Sequence, residues 1–144
     1  MGTRADFYIG RGKGAEWLGS IAWDGDAGSV LVHNGVATAL SKAADADAFK
    51  AAVVAEHADK QDFTRPEQGW PWPWEDSRTT DYAYAFDEGQ VWMSNFGHRW
   101  LTVAEAIAGV DDDVPNKVEF PNMKERQNVT LGERSGVLVF GIPR

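Results

Sequence analysis

Apolar and polar positions alternate with a period of two over several short stretches, the pattern of half-buried strands. Residues 5–10 place Phe7 and Ile9 on one face and Asp6 and Tyr8 on the other. Residues 16–23 set Trp17, Gly19, Ile21 and Trp23 against Leu18, Ser20 and Ala22. Between them, Gly10, Gly12 and Gly14 tolerate the positive φ of a tight connection, so the two stretches are expected to form a hairpin. The clearest hairpin comes later. Tyr82, Tyr84 and Phe86 alternate with Ala83 and Ala85, and Asp87-Glu88-Gly89 turns the chain. Residues 90–96 then return with Trp92, Ser94 and Phe96 against Val91, Met93 and Asn95. A last hairpin is expected from residues 126–131 and 136–142.

Two segments carry helical signals instead. Asp45 can cap a helix over residues 46–58, in which Ala46, Phe49, Val53 and His57 share one face. Thr102-Val103-Ala104-Glu105 fits a capping box that opens a short helix, with Gly109 as its stop. Residues 29–32 suit a short strand leading into an Asn34-Gly35 turn. The expected fold is a single α+β domain. It has an antiparallel sheet of roughly five to seven strands built from hairpins, one main amphipathic helix across a face, and a second short helix.

Composition narrows the chemistry. With 144 residues, 43% hydrophobic and 25% charged, the chain is globular in character. It holds no cysteine, which excludes disulfides, a thiol nucleophile and cysteine-ligated metals. A formal charge of −8 argues against direct binding to nucleic acid, whose affinity comes largely from Lys and Arg on phosphates. No apolar stretch approaches the roughly 20 residues of a membrane span, and no apolar segment follows the first charged residues. No membrane partner is therefore expected, and a cytosolic location is the default expectation.

No cofactor is expected either. Gly10-Arg11-Gly12-Lys13-Gly14 lacks the GxxxxGK[ST] spacing of a phosphate loop and leads into a strand, not a helix. His33, His57 and His98 are too dispersed for a metal pair, and Asp111-Asp112-Asp113 lacks the alternation of a calcium loop.

The most unusual segment is Trp70-Pro71-Trp72-Pro73-Trp74. Proline lacks the amide donor, so this is neither a central strand nor a helix interior. It is expected to be an ordered, extended loop clamped on the domain surface. Trp and Arg dominate interface hot spots. Trp70, Trp72, Trp74 and Arg78 are accordingly the expected binding anchors, the alternative being a structural flap over the sheet. A second candidate group is a ligand pocket of Arg4, Tyr82, Asn95, His98 and Arg99.

Two resemblances add to these readings. Residues 2–12 (GTRADFYIGRG), 15–25 (AEWLGSIAWDG) and 70–84 (WPWPWEDSRTTDYAY) resemble small, uncharacterised proteins encoded by bacteriophages and prophages. That likeness carries no catalytic residue. It implies an accessory protein working in the host bacterial cytoplasm that binds a host protein or protein complex, as anti-defence inhibitors do. Ser94-Asn95-Phe96 with Thr102 and Glu105 resembles the SNF…TxE pattern of the NADAR family, which acts on ADP-ribose N-glycosidic linkages. The spacing is shorter here, and Ala106 stands where that family has a histidine. The leading expectation is a non-enzymatic binding protein. The alternatives are a small enzyme or sequestering protein for a nucleotide-like ligand, and a virion or assembly component that forms a homo-oligomer.

Overall fold

The computed structural model describes residues 2–110 and 117–126. Strands β1 (Ala5–Ile9) and β2 (Glu16–Ile21) form the first hairpin. A short helix α1 (Ala27–Val30) follows, then a small separate hairpin of β3 (Val32–His33) and β4 (Val36–Ala37), then the main helix α2 (Ala46–His57). Strand β5 (Phe63–Thr64) precedes the tryptophan–proline segment, which is bracketed by 3-10 turns at Pro66–Gln68 and Ser77–Thr79. The second hairpin, β6 (Tyr82–Asp87) and β7 (Gln90–Asn95), leads into β8 (Leu101–Thr102) and helix α3 (Val103–Ile107). The α+β class holds.

Six strands form one sheet in the order β5-β2-β1-β6-β7-β8. The sheet is mixed, where the sequence pattern predicts an antiparallel one. Strands β1 and β6 run parallel, with Ala5 opposite Tyr82 and Ile9 opposite Phe86. Alternation and turn signals fix pairs that are neighbours in sequence, and they are silent on how two hairpins join. A parallel join needs a long crossover, which here carries α2 and the tryptophan–proline segment.

Alternation along β1 and β6 gives the sheet two buried faces. Phe7, Tyr84 and Phe86 point to the first, where Phe49 and Val53 of α2 pack on them. Asp45 caps α2, accepting the Ala48 N–H at 2.8 Å. At α3 the expected capping box forms, with Glu105 N–H to Thr102 Oγ1 at 3.2 Å and Thr102 N–H to Glu105 Oε1 at 2.9 Å. Tyr8, Ala83 and Ala85 point to the second face, covered by Trp70, Phe120 and Met123. Each large apolar side chain buried in these clusters contributes roughly 1.5–3 kcal/mol.

Strand β2 departs from strict alternation. Phe7 pairs with Gly19 but Tyr8 pairs with Trp17, so Leu18 is the extra residue of a bulge. The bulge reverses the parity of everything beyond it. Trp17 joins the second face while Ile21 lies in the first, although the sequence puts them together. Gly19 sits at φ +135°, and a Cβ there would meet the Thr64 carbonyl oxygen and the Phe63 ring at 2.8 Å. Trp23, expected on the same face, lies past the strand and is 55% exposed.

Two smaller expectations also change. Residues 29 and 30 are helical, not extended, whereas the Asn34-Gly35 turn forms as expected, both residues at positive φ. The final hairpin expected from residues 126–131 and 136–142 lies outside the described residues except for Arg126, which ends a helical turn at residues 123–126. The Asp111-Asp112-Asp113 turn also lies outside them. Among the described residues no helix is long and apolar enough to cross a membrane.

Candidate functional site

The tryptophan–proline segment lies over the second face of the sheet, and all three indole N–H groups are engaged within the fold. Trp70 is buried at 7% exposure, packs edge-on against Trp17 with centroids 5.3 Å apart, and donates to the Trp74 carbonyl at 2.7 Å. Trp72 donates to Asp6 Oδ1 at 2.7 Å, and Trp74 donates to Thr80 Oγ1 at 2.8 Å. The Trp72 and Trp74 rings stack with centroids 5.6 Å apart. The Arg4 guanidinium sits 5.7 and 5.6 Å from their centroids, and its Nη1 is 3.7 Å from Asp81 Oδ2.

Asp6 is the centre of this arrangement. Its side chain is fully buried, in a strand otherwise apolar on both sides. Ser20 Oγ donates to Oδ1 at 2.5 Å and Ser77 Oγ donates to Oδ2 at 2.6 Å. With the Ser77 proton directed at Asp6, the Tyr8 hydroxyl 2.6 Å away donates to Ser77 Oγ. Trp17 Nε1 donates in turn to Ser20 Oγ at 3.1 Å. Burial pushes the Asp6 carboxyl above its ordinary pKa, and the hydrogen bonds from Ser20, Ser77, Trp72 and Thr80 oppose that shift without cancelling it. The carboxylate is thus a bolt between β1 and the segment that covers it. Composition and motif spacing gave no hint of it. The one available signal is an acidic residue that shares a strand face with Tyr8.

Arg78 lies at the outer rim of the same segment. It makes a two-pronged contact with Asp76, Nε at 3.1 Å from both carboxylate oxygens and Nη2 at 2.9 Å from Oδ2. Asp76 holds the guanidinium more firmly protonated than usual, while the side chain stays 43% exposed. Open depressions flank this pair. One of about 440 Å³ runs between Lys13, Glu119 and Glu125. The other, about 550 Å³, is lined by Pro73, Trp74, Thr79, Arg78 and Lys124. Of the four expected anchors, Trp74 and Arg78 share this second depression. Trp70 is a core residue, and Trp72 is half-buried on Asp6.

The second candidate group divides. Tyr82, Asn95, His98 and Arg99 line one pocket of about 250 Å³ on the helix-bearing face of the sheet. Arg4 does not join them. It shares strand parity with Asp6 and Tyr8, so it lies on the other face, over Trp72 and Trp74. Glu105, which resembled a family motif residue, is occupied by the α3 cap, with Oε2 3.8 Å from Arg99 Nη2.

Lys13, from the glycine loop, pairs with Glu119 at 3.8 Å, while Arg11 lies 3.9 Å above the Trp92 ring. His57 is buried between Phe7 and Phe63, and His33 is exposed. Among the described residues no group of three or more His, Asp or Glu is placed to hold a metal ion. Compared with protein-family models, with curated proteins and with solved structures, the chain matches none.

Proposed function

We propose that this chain is a phage accessory protein that acts by binding a host factor in the bacterial cytoplasm, as an inhibitor of the anti-defence kind, without catalysis of its own. The observation that carries the reading is the shared depression of Trp74 and Arg78. These are the residue types most enriched in interface hot spots. Both sit on a segment fixed from beneath by Asp6, Thr80 and Asp76, so little side-chain ordering remains to oppose binding. Trp70 and Trp72 hold that face in shape. The phage context rests on the resemblance of residues 2–12, 15–25 and 70–84 to phage and prophage proteins.

Capture from bacterial lysate tests this, using the wild type, Trp74→Ala and Arg78→Ala side by side. The expected result is a host protein retained by the wild type, with affinity reduced by about 30-fold or more in each variant (about 2 kcal/mol). Arg78→Ala should lower the melting temperature by only a few degrees, because Asp76, 11% exposed, loses the guanidinium but keeps the residue-78 backbone N–H on Oδ1 at 2.9 Å. A partner retained equally by both variants, or none retained by the wild type above a control column, overturns the proposal.

A further inference from the structure

Two arginines lie on the tryptophan–proline face, and their guanidinium groups are used differently. Arg78 is clamped by Asp76 through both Nε and Nη2. The Arg4 guanidinium is exposed and makes no hydrogen bond among the described residues. Asp81 stands off from it at 3.7 Å, its Oδ2 accepting the Arg4 backbone N–H at 2.9 Å. What holds the cation is the indole pair. Its centre is 5.7 Å from the Trp72 centroid and 5.6 Å from the Trp74 centroid, within the roughly 6 Å over which a ring attracts a positive charge. Those rings are fixed in turn by Asp6 and Thr80, and the Arg4 carbonyl accepts the Tyr82 N–H at 3.0 Å. The guanidinium is therefore positioned from beneath while its donors stay unspent.

That arrangement specifies the group it would receive. A guanidinium presents five N–H donors in a rigid fork, which matches a carboxylate at two points. Beside it, Pro71 and Pro73 are exposed and the Trp72 and Trp74 rings are half-buried, an apolar surface for a neighbouring aliphatic side chain. Charge limits the ligand to one anionic group. Asp81 adjoins the guanidinium, and the whole chain carries a formal charge of −8. A nucleic-acid backbone brings repeated charges and needs several cations to meet them. Aromatic platforms for single strands accordingly lie in positively charged grooves, whereas this one has an aspartate at its edge. We infer that Arg4, on its indole pair, receives a glutamate or aspartate side chain of the bound protein, with an apolar residue of the same segment against Pro73 and Trp74. The inference rests on the tryptophan–proline face being the binding face.

The test titrates the full chain with a capped pentapeptide that holds one glutamate between two leucines, with its glutamine counterpart, and with oligothymidylate. Calorimetry gives the affinities, and ¹⁵N spectra of the arginine Nε–H groups locate the contact. The glutamate peptide should bind with a Kd of about 5 mM or tighter, and the glutamine peptide about fivefold more weakly. The Nε–H signal that disappears in Arg4→Ala should be the one that shifts. Arg4→Ala should bind both peptides alike, and Asp81→Asn, which removes the competing anion, should tighten the glutamate peptide about threefold. No binding of the glutamate peptide at about 20 mM, equal affinity of the wild type for both peptides, an unchanged preference in Arg4→Ala, or tighter binding of oligothymidylate overturns the inference. A host protein retained through Trp74 and Arg78 with no glutamate preference at Arg4 overturns this inference alone. A glutamate preference with no host protein retained overturns only the proposal of a host partner.

Discussion

The indole N–H of Trp72 donates to the carboxylate of Asp6 at 2.7 Å, across 66 residues of sequence. Removing the carboxylate leaves that N–H and the Ser20 and Ser77 hydroxyls without their acceptor. Each unpaired buried donor costs about 1–3 kcal/mol, so Asp6→Ala should destabilise the fold by about 3 kcal/mol or more. Trp72→Phe removes one donor and keeps the ring, and should cost about 1–2 kcal/mol. Chemical denaturation of both variants and their combination measures the coupling. A loss under about 1 kcal/mol for Asp6→Ala would mean that the carboxylate does not hold the covering segment.

The raised pKa of Asp6 has a signed consequence. The folded chain keeps the proton at a pH where the unfolded chain has released it. Stability therefore falls as pH rises through the interval between an ordinary carboxyl and the raised value, and Asp6 adds no slope above it. Asp6→Asn lacks this linkage. The free-energy difference, wild type minus Asp6→Asn, should grow on acidification from about pH 7 to about pH 4. A difference independent of pH would show that burial does not shift this group.

His57 acts in the opposite sense. It is buried between the Phe7 and Phe63 rings, and its Nδ1 lies 3.0 Å from the Val53 carbonyl, which can only accept, so Nδ1 carries the proton. Burial lowers its pKa. The folded state thus favours the neutral ring, a contribution complete above the ordinary value of about 6.5 and lost as pH falls through the lowered one. Unfolding free energies between about pH 7 and pH 5 should drop more steeply for the wild type than for His57→Phe. Parallel slopes would contradict this.

Phe96 sits at φ +53° with 43% of its surface exposed. Together with Gly97 at φ +75° it forms the two-residue corner closed by His98 N–H to the Asn95 carbonyl at 2.9 Å. Left-handed backbone costs a bulky residue about 1–2 kcal/mol, and asparagine tolerates it better. Phe96→Asn should raise stability by about 0.5–1 kcal/mol, or a melting temperature by about 2–4 °C. A lower melting temperature would mean that packing of the ring outweighs the backbone strain.

Much of this was readable from local pattern. The caps at Asp45 and Thr102 follow from side-chain chemistry within four residues. The register of β6 and β7 puts Tyr82 directly opposite Asn95, so one hairpin places two pocket residues side by side. His98 and Arg99 reach the same pocket because they follow that corner. What escaped the sequence depends on contacts distant along the chain. The Leu18 bulge inverts faces without any break in the alternation of residue types. Trp70 reads as an exposed anchor because proline spacing reports an extended backbone and is silent on the side the ring turns to. The Asp6 bolt joins residues separated by 14, 66 and 71 positions, and no local signal spans them.

The parallel seam of β1 and β6 also orders events in time. At its start, Arg4 N–H reaches Asp81 Oδ2 from a residue 77 positions away. Translation at about 5–20 residues per second leaves the open flank of β1 waiting about 4–15 s for its neighbour. Until α2 and β5 have emerged to join it, the first hairpin is a two-stranded ribbon, too slight to persist unaided in water. The middle of the sheet is therefore zipped late, and the nascent chain stays vulnerable to wrong pairing until β6 has emerged.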